Sequence, residues 1–485
     1  MLAETLDDMV ENLKKESVNG VVWSFLETAS TKMIQFAIGI IMARLLMPED
    51  YGAIAIIFVF ITISQVFIDG GFATTLIQDK NKTDRDYSTV YTFNVMLSVL
   101  CYLILFIAAP YISSFYNTNI TQYLRVQSVG IIIFSLSAIH KIRLIVEVNF
   151  KSIAKVTIIS TLFSGVIGII LALQGFGVWA LVIQYLSSAT LMSGMYLLTQ
   201  RWRPICFFDL SSFRRLFPFG LRLLSATIID RIYANLYPII IGKFCAPAQL
   251  GCYSRAEHFT SIPAYTCIDV FSRVTFPIMS KISDDRQLVS VYSRYISLSS
   301  FLIHPVLFAL FALARPLVLI LLTEKWEKII ILMQILCCGY LLEHISSINR
   351  NLIYVKGRAD LALKLEVIKK ILAVTILIVS IPFGLIGLCF GKACYGILAM
   401  LLNSAYTKKL IGVTIWQQIE YFTPSFVLGM VSALIAIISI YFNNNKYGQL
   451  IIGGVAFFLT YFGLSFITCN NSFKEIVRVV KEKFF

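Results

Sequence analysis

Fourteen apolar segments of membrane-spanning length constrain this chain more than any other feature. A helix needs roughly 20 mostly apolar residues to cross the hydrocarbon core of a bilayer. Residues 21–46, 52–78, 88–112, 122–146, 153–174, 177–199, 216–242, 250–279, 295–322, 328–354, 361–382, 385–406, 422–442 and 448–469 meet that length. Lipid offers no partner to backbone N–H and C=O groups, so a spanning segment satisfies them internally, as a helix does. The expected fold class is an all-α integral membrane protein with about 14 transmembrane helices. Composition agrees: 58% of the residues are hydrophobic and only 14% charged, where soluble domains carry roughly a quarter charged residues. The seventh, eighth and tenth segments are the weakest, because each carries several charges.

Charge in the connecting loops orients the spans. Alternate loops, with both chain ends, hold 27 Lys and Arg; the others hold five, Arg44, Lys243, Lys325, Lys328 and Lys446. By the positive-inside rule both termini are cytoplasmic. The same bias accounts for the net charge of +14, and no nucleic-acid partner is needed to explain it. Residues 1–19 are acidic and amphipathic with no small-residue cleavage site, so the first span itself is expected to direct insertion. The ten cysteines form no framework. Most lie in apolar segments as small hydrophobes, and Cys245 and Cys252, flanking a turn, read as unpaired. No metal-binding spacing such as CxxC or HExxH occurs, and no prosthetic cofactor is expected.

The chain also repeats itself. FAIGIIMARLLMPEDYG (Phe36–Gly52) ends one apolar helix, turns between Pro48 and Gly52, and begins the next. IIIGKFCAPAQLG (Ile239–Gly251) returns the pattern 199 residues later, with Pro247 and Gly251 answering Pro48 and Gly52. Ala108-x-Pro110 is answered by Ala314-x-Pro316, Leu144-Ile145 by Leu352-Ile353, and Phe176-Gly177 by Phe383-Gly384, at offsets of 206 to 208. Each unit holds six helices, an even number, so both insert the same way round, as in transporters built from parallel repeats. The expected organisation is a cytoplasmic amphipathic N-terminus (1–20), an N-lobe (21–200), a cytoplasmic linker (201–215) and a C-lobe (216–407). Two appended helices (408–469) and a basic cytoplasmic tail (470–485) follow.

Ionisable groups at membrane depth are costly and usually face a bundle interior or a water-filled cavity. At 100° per residue, Arg255, His258, Asp269 and Arg273 share one face of the eighth helix, and Arg222 and Asp230 one face of the seventh. Glu343 and Arg350 stripe the tenth helix; Glu27 lies with Lys32 beside it on the first, and Asp69 lies on the second. A plainer account is available for each. Arg255 and Arg273 sit near helix ends, where arginine snorkels, and Asp269–Arg273 and Glu343–Arg350 are spaced to form internal ion pairs. Together, five striped helices spread over both repeats are better explained by a hydrated cavity. His140 and His304 read as structural. No GxSxG, P-loop or paired-carboxylate motif occurs in a soluble segment, so no enzyme is expected. What remains is a transporter driven by a proton, sodium or substrate gradient.

RLLMPEDYG (Arg44–Gly52), FIDGGFATTLIQ (Phe67–Gln78), TDRDYSTVYTFN (Thr83–Asn94), GFGVWAL (Gly175–Leu181), RWRP (Arg201–Pro204) and TEKW (Thr323–Trp326) occur in order. In these motifs the chain resembles the Wzx-like oligosaccharide flippases, the polysaccharide-transport branch of the superfamily that also contains multidrug extruders and the lipid II flippase. The resemblance implies two six-helix lobes in a V, alternating between inward-open and outward-open states in the bacterial cytoplasmic (inner) membrane. The implied substrate is an undecaprenyl-pyrophosphate-linked oligosaccharide, moved to the outer leaflet for surface polysaccharide assembly. A polysaccharide polymerase and chain-length machinery are the implied protein partners. A diphosphate needs cations, and Lys32, Arg222, Arg255, Arg273 and Arg350 are the expected substrate contacts. Glu27, Asp69, Asp230, Asp269 and Glu343 are the expected coupling or gating acids. One departure is that helix 7 of such proteins often carries Asp after Asn-Leu, whereas Asn235-Leu236 is followed here by Tyr237, leaving Asp230 as a substitute. Two alternatives stay open: an ion-coupled multidrug antiporter of the same fold, and a non-transporting scaffold for a polysaccharide assembly complex.

Overall fold

The computed structural model describes the backbone of residues 2–69, 71–79, 81–468 and 470–484. Side chains are described for the same residues apart from 2–19, 21, 69, 73, 226, 471, 476, 479, 480, 483 and 484. Every regular element among the described residues is a helix. Ten segments there are long and apolar enough to cross a membrane. Two of them, Ile329–Val355 and Ala359–Ile411, hold two helices each. The chain is an all-helical, multi-pass integral membrane protein. The seventh and eighth expected spans and the first fall outside that set of ten, while the tenth lies within it. The seventh and eighth are charge-bearing helices; Arg222, Asp230 and Arg231 carry the charge within the seventh.

The chain divides into two compact units, Met1–Gly251 and Cys252–Phe485. The first contains α1 (Leu2–Leu45), α2 (Pro48–Asp69), α3 (Phe72–Gln78), α4 (Asp84–Phe115), α5 (Thr121–Val146), α6 (Phe150–Leu173) and α7 (Val178–Thr199). It continues through α8 (Leu210–Ala234) and α9 (Leu236–Phe244) into the start of α10 (Pro247–Ser280). Here α6 packs on α1 and α7, α5 on α4 and α7, and α2 on α8 and α9. The second unit holds the rest of α10, then α11 (Asp285–Ala312), α12 (Ala314–Leu321), α13 (Ile329–Tyr340), α14 (Glu343–Val355), α15 (Ala359–Ser380) and α16 (Gly384–Ile411). It ends with α17 (Ile415–Tyr441), α18 (Lys446–Ile467) and α19 (Asn471–Phe484).

Although α17 and α18 stand outside the repeat, they are built into the core of the second unit. Gln418 of α17 accepts from Asn349 of α14 at 3.0 Å and from Ser404 of α16 at 2.8 Å, all three buried. The Tyr461 hydroxyl of α18 donates to the Phe301 carbonyl at 2.9 Å. Helices in lipid gain nothing from hiding apolar surface from one another, so interhelical hydrogen bonds of this kind supply part of the adhesion.

Four segments expected as continuous spans are broken, and the reasons are local. Pro238 has no N–H to offer the carbonyl of residue 234, and its ring crowds that carbonyl, so α8 ends at Ala234 and α9 begins two residues on. Pro316 does the same to residue 312, separating α11 from α12. Between α2 and α3 the backbone turns at Gly71, whose φ of 93° suits glycine; a Cβ there would strike the Gly220 carbonyl of α8. Between α13 and α14 no proline intervenes. Instead His304 Nε2 lies 3.2 Å from the Leu341 carbonyl freed by the break. A carbonyl only accepts, so that nitrogen carries the proton.

The two turns of the sequence repeat meet. A Cβ on Gly52 would strike the Pro247 carbonyl, and a Cβ on Gly251 would strike the Pro48 carbonyl. Residue i of one copy touches residue j of the other, and j touches i, the signature of a contact across a two-fold axis. The first turns of α2 and α10 therefore cross with backbone against backbone. Both Pro48 and Pro247 stand at the first helical position, where the missing N–H costs nothing.

Candidate functional site

The motifs that carry the family resemblance prove to be joints. At one end of the first unit TDRDYSTV meets RWRP. Thr83 and Asp86 cap α4 reciprocally, the Asp86 carboxylate accepting the Thr83 N–H at 2.8 Å and the Thr83 hydroxyl accepting from the Asp86 N–H. Arg215 of α8 bridges Asp79 and the fully buried Asp86 side chain, the latter at 2.6 Å. Arg143 of α5 pairs with Asp84 at 2.7 Å, and the Trp202 indole N–H donates to the same carboxylate at 3.2 Å. His140 Nε2 lies 3.3 Å from the Trp202 carbonyl. The Ser88 and Thr89 hydroxyls accept the N–H groups of Ile205 and Asp209, each at 3.0 Å. Residues 202–209 are thus strapped along α4. Asp209 in turn caps α8: the Ser211 hydroxyl and the Ser212 N–H donate to its carboxylate and hold it down to about 2.

The residues expected to bind or couple are dispersed. On α1, Glu27 is half-exposed and Lys32 exposed; on α8, Arg222 and Asp230 are exposed. The Asp69 side chain lies outside the described residues. On α10 Asp269 and Arg273 are exposed and Arg255 is half-buried. Glu343 is half-buried in the first turn of α14. Neither Asp269–Arg273 nor Glu343–Arg350 forms an ion pair among the described residues; Arg350 lies instead 3.8 Å from Glu366, which Lys369 holds at 2.6 Å. Lys32, Arg222 and Arg273 have no ion-pair partner among the described residues, so the plainer account by internal pairing does not cover them. At 1.5 Å of rise per residue, Arg255 and Arg273 stand roughly 27 Å apart along α10. One diphosphate cannot touch both.

The best-organised polar site in the second unit was not among the sequence candidates. Lys392 Nζ of α16 donates to Glu257 Oε1 of α10 at 2.7 Å and to the Tyr253 hydroxyl at 3.0 Å. The Tyr340 hydroxyl, at the end of α13 beside the break, donates to the same Glu257 oxygen. The ammonium also lies 5.5 Å from the Tyr253 ring and 5.8 Å from the Tyr340 ring, within cation–π reach. Tyr265 meets Tyr340 edge-on at 5.5 Å. The Lys392 and Glu257 side chains are 23% and 25% exposed, so the pair is open on one side. Glu257 Oε2 is buried with no hydrogen-bond partner among the described residues. A signal for Lys392 did exist, since it is the only charged residue between Gly384 and Thr407, and an isolated ionisable group in a span is a functional candidate by default. Glu257 had none, because it lies off the Arg255–Arg273 stripe.

His304 and His344 are neighbours rather than solitary, with ring centroids 5.3 Å apart, and the Ser300 hydroxyl lies 2.8 Å from His344 Nε2. Both are buried, and the His304 ring also meets Phe308, Phe422 and Phe426 edge-on. The described cysteines form no disulfide, Cys245 and Cys252 among them. No group of three metal-binding side chains occurs among the described residues.

The chain is 26% identical to the teichuronic acid biosynthesis protein TuaB of Bacillus subtilis over 361 residues, 72% of this chain and 74% of that protein. It is 22% identical to the lipopolysaccharide biosynthesis protein WzxC of Escherichia coli over 88% of each chain. Among solved structures, the lipid II flippase MurJ in an inward-closed conformation shares the fold with a TM-score of 0.72 at 16% identity, over 94% of this chain and all of that one. The family model described as polysaccharide biosynthesis protein matches residues 41–331, from the end of α1 to the start of α13, and the chain belongs to that family.

Proposed function

We propose that this protein is a lipid-linked oligosaccharide flippase that moves undecaprenyl-pyrophosphate-linked sugar repeats across the bacterial cytoplasmic membrane by alternating access, for surface polysaccharide assembly. The observation that carries the reading is membership of a polysaccharide-biosynthesis family by a chain made almost wholly of helices, ten segments of which suit a bilayer. Relatives named for polysaccharide biosynthesis and a fold shared with a lipid II flippase support transport as its contribution to such a pathway. Exposed cations on α1, α8 and α10, Lys32, Arg222 and Arg273 among them, suit an anionic lipid phosphate. Both termini face the cytoplasm, by the loop-charge bias. The substrate gradient drives the cycle, kept downhill as a polymerase with its chain-length machinery consumes the product.

The deciding test is polysaccharide export at matched membrane abundance. Alanine at Arg222 or Arg350 abolishes export, and lysine restores part of it, since phosphate accepts either cation. Normal export with alanine at each of Lys32, Arg222, Arg255, Arg273 and Arg350 would refute the cationic site. For orientation, a cysteine in the 117–121 loop is labelled from outside and one in the 81–86 loop is not; the reverse result overturns it.

A further inference from the structure

Resting on the flippase reading, we propose that Lys392 is a tethered counter-cation shared between Glu257 and the phosphate of the substrate. It pairs with Glu257 when the site is empty and with the anion when it is loaded. Three observations carry this. The ammonium is held by one carboxylate oxygen and one phenol, both groups it can exchange for phosphate oxygens without moving its helix. About three-quarters of each side chain is covered, yet the remaining quarter leaves the pair open to an incoming polar group. Lastly, Glu257 Oε2 is buried with no hydrogen-bond partner among the described residues, whereas buried carboxylate oxygens are ordinarily satisfied.

The third observation fixes the chemistry. When Lys392 turns to the phosphate, Glu257 keeps only the Tyr340 hydroxyl, and an ion without a counter-charge at membrane depth is strongly disfavoured. A proton on Oε2 removes the charge. Loading therefore brings in one phosphate anion and one proton; unloading releases both and re-forms the Glu257–Lys392 pair. The empty site is self-neutralised and returns without a bound ion. The titratable groups around the Glu257–Lys392 pair are Tyr253 and Tyr265 on α10, Tyr340 on α13 and, beside Lys392, Glu343 on α14. Of these only Glu343 is a second carboxylate, and it serves as the control.

The test measures binding of farnesyl pyrophosphate to the purified full chain by calorimetry in two buffers of different ionisation enthalpy, which counts protons taken up. The wild type takes up about one proton beyond the ligand's own titration, and binding weakens as pH rises. Glu257→Gln abolishes the uptake while binding holds. Glu343→Gln leaves the uptake in place. Lys392→Gln weakens binding about tenfold, the scale of one charge-assisted hydrogen bond. The double variant Glu257→Gln/Lys392→Gln, neutral at both positions, repeats that loss if the single variant fails to fold. Proton uptake surviving in Glu257→Gln, or undiminished binding in both Lys392 variants, overturns the proposal and leaves the flippase reading standing. No binding of the isoprenyl diphosphate by the wild type overturns the reading and the proposal together.

Discussion

Consider Gly52→Ala. In an exposed helix interior, alanine in place of glycine stabilises by about 1 kcal/mol. At Gly52 the added methyl lands on the Pro247 carbonyl. The obstacle is backbone, which cannot rotate aside as a long side chain does, so the upper end of the overpacking range applies, about 3 kcal/mol. The net loss is then about 2 kcal/mol, from the difference of those two terms. For a compact unit of this size, that lowers the unfolding temperature by roughly 4–8 °C. Gly251→Ala behaves alike, because the contact is reciprocal. Alanine at Gly194 of α7 or Gly463 of α18, where a Cβ meets nothing within 4 Å, gives no loss. The double variant Gly52→Ala/Gly251→Ala loses less than the sum, since the first methyl has already separated the two helices. Thermal unfolding of the four single variants and the double, purified in one detergent, reads all of this. A Gly52→Ala unfolding temperature equal to that at Gly194, or strict additivity, would refute the two-fold contact.

Arg215→Ala leaves the buried Asp86 carboxylate without its cation; because the guanidinium is itself 46% exposed, the loss falls below the 3–5 kcal/mol of a sealed pair, at about 2 kcal/mol. A double-mutant cycle with Asp86→Asn shrinks that loss, and an unchanged value would place the effect elsewhere. His304→Ala strands the Leu341 carbonyl and lowers stability by about 1–3 kcal/mol before any cavity term, and faster amide exchange in residues 343–346 is the specific sign. Asp209, held down to about 2, contributes to stability above the unfolded carboxylate value near 4 and loses that contribution as pH falls toward 2. Wild type is therefore more stable than Asp209→Asn by a margin that does not change from about pH 8 to about 5 and shrinks as pH falls from about 4 toward 2; a margin that varies within the upper window would count against the assignment.

Hydropathy, which depends only on which residues are adjacent, was enough to establish an all-helical membrane protein. Apolar runs must become helices in lipid whatever lies beside them. The repeat was legible for a similar reason: Pro48 and Gly52, then Pro247 and Gly251, mark local turns that survive in sequence. Their mutual contact was not, because nothing along the chain says that two like turns touch. Helix interruption lay between these cases. Pro238 and Pro316 stood in plain sight, but spanning helices tolerate proline when neighbours satisfy the freed carbonyl, so the break depends on packing. At Leu341 the neighbour is His304, 37 positions away. Helical-wheel stripes told which side chains share a face of one helix and nothing about what that face meets. They therefore offered Glu343 for Arg350, where the fold supplies Glu366 from α15. They passed over Glu257 altogether, whose partner Lys392 is 135 positions distant. Charge pairing across a bundle is set by which helices lie together, and only the tertiary structure decides that.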